Sequence, residues 1–273
     1  MAAVTSTQPV RHRIRKSFNE RILTWLAIGM FIFLYVPIII LIVFSFNDSG
    51  RGAATVWAGF TTDWYGEVFR NRNIVNAART SLWVAFWSTV VSTIVGTLTA
   101  IAMERFRFRG KRMYDAVLYL PIIIPDIVMA LSTLLFFVMV GIPLSRYTIL
   151  IAHIAFNIAF VAIVVRARLS DLDSTYEQAA ADLGANPWQT FRYVTFPLLA
   201  PGIVAGALLA FTLSLDDFVI TFFMAGPNAT TLPVQVYSMI RVGVTPEINA
   251  LSTLMFIGST LLVIISLIIQ RRT

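Results

Sequence analysis

The sequence predicts an all-α integral membrane protein with six transmembrane helices, and three observations predict it. Of its 273 residues, 58% are hydrophobic and only 13% charged, against about 45–50% and about 25% in a soluble domain. That leaves too little polar surface to face water on all sides. Six uncharged runs reach or approach the roughly 20 residues that a hydrocarbon layer about 30 Å thick requires of a helix. The 21 Lys and Arg residues are also divided unevenly between alternate loops, as membrane topology demands.

The runs are Ile22–Phe46, Thr80–Met103, Ala116–Val140, Tyr147–Val165, Leu198–Met224 and Ile248–Ile269; Asp126 interrupts the third, and Asp216 and Asp217 the fifth. The first exceeds the ~7–15-residue apolar stretch of a signal peptide and precedes no small-residue cleavage site, so it reads as an uncleaved span. Six spans put both termini on one side. That side carries Arg11, Arg13, Arg15, Lys16, Arg21, Arg105, Arg107, Arg109, Lys111, Arg112, Arg166, Arg168, Arg192, Arg271 and Arg272. The other holds only Arg51, Arg70, Arg72, Arg79, Arg146 and Arg241. The positive-inside rule therefore places both termini and the second and fourth loops in the cytoplasm. The chain divides into a basic arm over 1–21, a six-span domain over 22–270 whose helices face lipid, and a tail over 271–273. A nucleic-acid contact for the arm is set aside, because orientation charge belongs directly before a first span.

The first outer loop, 47–79, carries Trp57, Phe60, Trp64, Tyr65 and Phe69. These read either as an interfacial element lying on the membrane or as aromatics packed over helix ends. The fourth loop, 166–197, is long enough to hold structure of its own. Asp173-Ser174-Thr175 supplies N-cap chemistry, Ala179-Ala180-Ala181 forms helix well, and Leu183-Gly184 supplies a stop in which Gly184 takes the left-handed conformation. Asn186-Pro187 then opens a second short helix that is expected to stop at Pro197. Two short helices with a sharp turn make a rigid knob.

The stretch Glu177-Gln178-Ala179-Ala180-Ala181-Asp182-Leu183-Gly184-Ala185, continued through Phe191 to Phe196-Pro197, resembles the coupling loop of ABC-importer permeases. Measured back from Gly184, the family's Ala-Ala pair falls on Ala179-Ala180 and its Leu-Pro on Phe196-Pro197. The family's glutamate falls on Gln178, with Glu177 one residue earlier, about 100° around the helix. Leu120-Pro121, Pro125 to Ala130, Thr212-Leu213-Ser214-Leu215-Asp216-Asp217-Phe218, Gly226-Pro227, Leu232-Pro233 and Tyr237 to Ala250 are similar to the second permease subunit of polyamine importers. The resemblance implies the type I ABC-importer permease fold, in a bacterial inner membrane. It implies a homologous second permease, two copies of a cytoplasmic ATPase that bind ATP and Mg²⁺, and a periplasmic substrate-binding protein. It also implies that a helix carrying Glu177, Gln178, Ala179, Ala180, Asp182, Gly184, Ala185 and Pro187 docks in a groove of the ATPase. Permeases for iron, opines, phosphonates or thiamine share such a loop, so the loop leaves cargo open.

Three of the 14 acidic residues, Asp126, Asp216 and Asp217, fall inside the runs, where a carboxylate is costly and faces a bundle interior or aqueous path. Counted along straight helices, Asp126 falls near mid-depth and the pair in the outer portion of span five. No Lys, Arg or His shares their spans, so the set invites a cation from outside. Polyamine ammonium groups suit carboxylates interspersed with aromatic faces, and Phe218, Phe222, Phe223 and Tyr237 lie near the pair in sequence. Asp126, Asp216, Asp217, Phe218, Phe222 and Tyr237 are thus the candidate path residues; the alternative is that the aspartates cap broken helices. His153 reads as a hydrogen-bonded packing residue, with Asn157 one turn on as its expected partner. Pro121, Pro125, Pro197 and Pro201 are expected to kink or interrupt helices.

With no Cys, thiolate metal sites and cysteine nucleophiles are excluded. No phosphate-cradling Gly-x-x-x-x-Gly-Lys-Ser/Thr, no His-Glu-x-x-His and no Gly-x-Ser-x-Gly occurs. The sequence therefore implies a transport subunit without its own ATPase site, cofactor or metal. A secondary transporter driven by ions through the aspartates is the competing reading, and the coupling loop argues against it.

Overall fold

The computed structural model describes residues 18–50, 56–227 and 229–272, with the side chains of 18–21 and 265–272 outside that description. The arm over 1–17 and Arg51 lie outside the described residues, as do the side chains of Arg21, Arg271 and Arg272. The described residues form helices α1 (Phe18–Phe44), α2 (Asp63–Arg70), α3 (Arg72–Arg105), α4 (Lys111–Ile123), α5 (Asp126–Val140), α6 (Arg146–Ser170), α7 (Thr175–Asp182), α8 (Pro187–Thr190), α9 (Phe196–Asp216), α10 (Val219–Met224), α11 (Leu232–Val242) and α12 (Pro246–Arg272). Five are long and apolar enough to cross a membrane, and the bent pair α4–α5 makes a sixth candidate span.

The core is the packing of α3, α6 and α9. Small residues recur at four-residue spacing and are buried along both flanking helices: Ser88, Ser92, Gly96 and Ala100 on α3, and Gly202, Gly206, Ala210 and Ser214 on α9. They let the helix backbones approach the valine side of α6, as small residues do where lipid offers no hydrophobic drive to association. A Cβ at Gly96 would sit 2.8 Å from the Cβ of Val161, and one at Gly206 would sit 3.3 Å from Val161 Cγ1. Val161, Val165, Leu169, Leu199 and Ala100 fill the cluster toward the basic end of the bundle, where α3 and α6 finish.

Two of the six expected spans are broken. Span three bends by 110° between α4 and α5. Proline lacks an N–H and forces the residue before it out of the helical region; Ile124, before Pro125, is extended at φ −75° and ψ 132°. Asp126 therefore opens α5 and is exposed, rather than sitting half way along a straight helix. Span five ends as α9 at Asp216, Asp217 is extended at φ −64° and ψ 123°, and α10 restarts beyond Phe218.

The expected stop at Pro197 does not occur. α8 continues through a π-helical turn, Phe191–Thr195, into α9, giving one apolar helix from Pro187 to Asp216. The wide turn, in which Phe196 N donates to Phe191 O, lies directly before the proline. It relieves the clash that Pro197 would cause inside a regular α-helix. The second helix of the knob is thus the start of span five.

Span two also begins earlier than its apolar run, at Arg72. At that end of the bundle the aromatic loop packs over helix ends: buried Trp64 and Val68 join Ile74, Ala250 and Leu251, and the Trp64 indole donates to Asn47 O at 2.9 Å. Phe60 and Phe69 remain exposed. Replacing Gly96 by Ala should cost about 1–3 kcal/mol through overpacking and lower the Tm of the detergent-purified protein. Gly258→Ala, whose Cβ meets nothing within 4 Å, should leave Tm unchanged or raised, and Gly206→Ala should fall between.

Candidate functional site

Two regions carry polar chemistry that packing alone does not require. The first is the knob at the basic end. Asp173 accepts from Thr175 N at 2.9 Å and Thr175 Oγ1 at 2.6 Å, and these bonds hold its exposed carboxyl below the ordinary range. The capping of α7 thus comes from Asp173, and Ser174 at the N-cap makes no side-chain cap bond. Gly184 takes φ +85°, while its amide donates to Ala181 O and that of Ala185 to Ala180 O. Asn186 and Gln189 form a reciprocal capping box at 2.9 and 2.8 Å, with Pro187 at the first helical position.

The knob presents Gln178, Ala179, Asp182, Leu183, Pro187 and Trp188 to the exterior, with Ala180 and Ala185 half-buried. Glu177 points elsewhere. Its Oε1 accepts from Arg105 Nη2 at 2.6 Å and from Thr195 Oγ1 at 2.7 Å. Close by, Arg166 on α6 binds Glu104 of α3 at 3.0 Å and Asp115 of α4 at 2.5 Å. The basic ends of α3, α4, α6 and α7 are therefore tied by charge-assisted bonds.

The second region is the break between α9 and α10. A helix start leaves backbone amides without partners; Asp217 accepts Thr221 N at 2.8 Å and Ile220 N at 3.3 Å. His153 on α6, 1% exposed, places Nε2 3.2 Å from Asp217 Oδ2 and 3.1 Å from Thr221 Oγ1, and Nδ1 2.7 Å from Ser214 Oγ. Both Asp217 oxygens already accept amides, so Nε2 carries the hydrogen and Nδ1 accepts from Ser214. Ser88 on α3 donates to Ser214 at 2.9 Å. One buried chain of hydrogen bonds thus joins α3, α9, α6 and α10.

Asp216, the adjacent residue, turns the other way. It is exposed, has no hydrogen-bond or ion-pair partner among the described residues, and lines a cleft of about 410 Å³ with Phe218, Pro233, Val236, Tyr237, Ile240, Ser252 and Met255. Phe218 lies 4.8 Å from Tyr237 and 5.4 Å from Phe222 between ring centroids, and Phe222 lies 6.0 Å from Tyr237. An exposed carboxylate beside three clustered rings suits an organic cation.

The model of the binding-protein-dependent transport system inner membrane component family matches residues 92–272, which include the knob, the break and the cleft. The chain belongs to this permease family. The spermidine/putrescine transport system permease protein PotC of Escherichia coli (strain K12) is 44% identical over 243 residues, 89% of this chain and 91% of that protein. The putrescine transport system permease protein PotI of the same strain is 46% identical over 231 residues, 82% of each. The fold matches that of a bacterial ABC transporter involved in the import of the acidic polysaccharide alginate: TM-score 0.67, 19% identity, 93% of this chain and 98% of that one.

In this permease the fold brings together four of the residues singled out from sequence, Asp216, Phe218, Phe222 and Tyr237. Asp217 is not an unpaired carboxylate: the sequence places no donor side chain of Lys, Arg or His in its own span, and the fold supplies the His153 N–H from α6. The expected His153–Asn157 pair does not form. Both ring nitrogens are taken by α9 and α10, and Asn157 is fully buried with neither side-chain polar atom hydrogen-bonded among the described residues. Asp126 shares no hydrogen bond or ion pair with the 216–217 pair among the described residues. Sequence reasoning missed α11, which forms one wall of the cleft. Its signals were Pro233 near the helix start and Gly243 at its end. It also missed Ser88 and Thr221, small hydroxyls that no periodicity distinguishes from packing.

His153→Phe should leave the Asp217 carboxylate short of a donor in a buried setting, cost about 2 kcal/mol and lower Tm; His153→Gln, which keeps a donor, should lose less. Gly184→Val should cost about 1–2 kcal/mol, the penalty of a side chain in left-handed backbone. Limited proteolysis should then cut within 171–186 faster than in the wild type.

Proposed function

We propose that this permease carries polyamines inward across the bacterial inner membrane, with its basic end in the cytoplasm, coupled to hydrolysis by a separate ATPase. The observation that carries the cargo assignment is the exposed Asp216, without a hydrogen-bond or ion-pair partner among the described residues, beside Phe218, Phe222 and Tyr237. Relatives named for spermidine and putrescine support it. The division of Lys and Arg between alternate loops supports the orientation.

In this reading a homologous second permease completes the pore, a periplasmic binding protein delivers cargo at the Asp216 end, and two ATPase copies hold the ATP and Mg²⁺ at the other end. Gln178, Ala179, Ala180, Asp182, Gly184, Ala185 and Pro187 form the ATPase-facing knob. The knob leads through Pro187–Asp216 into the helix that ends at the cargo cleft, so a tilt of the knob moves Asp216. That is the lever alternating access requires. Asp217 holds the break in shape while Asp216 meets the cargo, and Asp126 at the exposed start of α5 offers a second carboxylate on the path.

The test is uptake and ATPase stimulation in the reconstituted complex with loaded binding protein, across putrescine, spermidine and a small anion such as sulfate. Stimulation by the polyamines and not by the anion is expected; stimulation by the anion alone would overturn the cargo assignment. Asp216→Asn should lower polyamine uptake about tenfold, equivalent to about 1.4 kcal/mol, with Tm unchanged. Asp217→Asn should lower Tm as well as uptake.

A further inference from the structure

We infer that Glu177 is an internal positioning residue that fastens the knob to span two, and that it is not a contact to the ATPase; this rests on the coupling reading above. Glu177 lies on α7 one residue before Gln178, and the two point to different sides of that helix. Gln178 is exposed, whereas Glu177 is half-buried and faces a cavity of about 520 Å³ between the knob and the bundle, which Arg105, Leu169, Ala181, Phe191 and Thr195 also line.

One oxygen of Glu177 takes both bonds, from Arg105 Nη2 at 2.6 Å and Thr195 Oγ1 at 2.7 Å. Each donor sits at a mechanically distinct place. Arg105 is the last residue of α3, and its neighbour Glu104 is held by Arg166 of α6, which also holds Asp115 of α4. Thr195 closes the π-helical turn through which the knob enters α9. Among the described residues, Glu177 is therefore the side chain whose hydrogen bonds bridge α7 to both α3 and the base of α9. Without it α7 is joined to the bundle by covalent connections and the packing around the cavity. A displacement of the knob would then reach α6 and α9 through the chain itself, with no direct tie to the end of α3. Moving these helices together is what a coupled change of access requires, since α3, α6 and α9 pack as one core.

Electrostatics favours the internal bond over an external one. Glu177 already accepts two donors, one of them charged, from partly desolvated positions, and a charge-assisted pair in such a setting is stronger than one fully in water. An ATPase residue would have to displace Arg105 to reach it. The exposed face of α7 offers Gln178, Ala179 and Asp182 instead.

The experiment uses the full complex reconstituted in liposomes with its binding protein, measuring cargo imported per ATP hydrolysed together with copurification of the ATPase. Glu177→Gln and Arg105→Gln should each lower cargo per ATP at least about fivefold, the smallest effect expected of an allosteric coupling, with ATPase copurification at the wild-type level. The double variant should be no worse than either single one, the sign of a shared interaction. The exchange Arg105→Glu with Glu177→Arg should recover most of the loss. Additive losses in the double Gln variant would overturn the inference. So would loss of ATPase copurification on Glu177→Gln but not on Arg105→Gln. A wild-type complex that imports no cargo at the expense of ATP would instead overturn the coupling reading itself, and the two failures are separated by that control.

Discussion

A helix that restarts inside a spanning bundle presents backbone amides that no lipid can satisfy, and the rest of this structure depends on how that demand is met after Asp216. Asp217 accepts the amides of Ile220 and Thr221. A buried carboxylate is itself costly unless paired, so His153 must reach it from α6. The imidazole in turn is held by Ser214, and Ser214 by Ser88 of α3. The break is thus stabilised by the same three helices whose small residues pack most closely. Because Asp217 is consumed in this way, its neighbour Asp216 is left facing the cleft. The pair reads alike in sequence and faces different surroundings.

The two ends of the bundle are built on different physics. At the Asp216 end the polar groups around the break, Ser88, His153, Ser214 and Thr221, are buried and joined with Asp217 in a chain of neutral and charged hydrogen bonds, which specifies geometry sharply because any missing partner is expensive. At the knob end the bonds are ion pairs in partly exposed positions, Arg105–Glu177 and Arg166 with Glu104 and Asp115. Such pairs are individually weaker and exchange more readily with water. The helix from Pro187 to Asp216 connects the two, and its π turn lies at the knob end.

Much of the fold was legible in the residues because hydrophobic runs and basic flanks report directly on spans. The knob was legible for a related reason: Gly184, Asn186 and Pro187 act through local backbone conformation, and left-handed glycine and N-cap chemistry need no tertiary partner. Pro197 misled because a proline stops an α-helix only where the preceding turn cannot widen; here a π turn absorbs it. Asp217 caps the restarting helix, as the alternative reading of the aspartates had it, while its His153 partner stayed hidden because it lies on another helix some sixty residues away. Residues four apart on α6 suggested His153 with Asn157, but the ring nitrogens go instead to Ser214 on α9 and to Asp217 and Thr221 at the start of α10. The cleft beside Asp216 was half visible, as aromatics and a carboxylate, while α11 was hidden because it is too short to register as a span.

What the sequence determined by itself was everything that depends on composition and on neighbours along the chain: membrane class, approximate spans, the division of charge between alternate loops, the local turns of the knob and the family. What only the tertiary structure decided was which polar side chains are spent on one another and which remain free. Glu177 and Gln178, and likewise Asp216 and Asp217, are adjacent and chemically similar. Successive helical residues point about 100° apart, and at the 216–217 break the chain leaves the helix altogether. Whether each side chain faces a neighbouring helix or open space is fixed by long-range packing, which leaves no mark in local sequence.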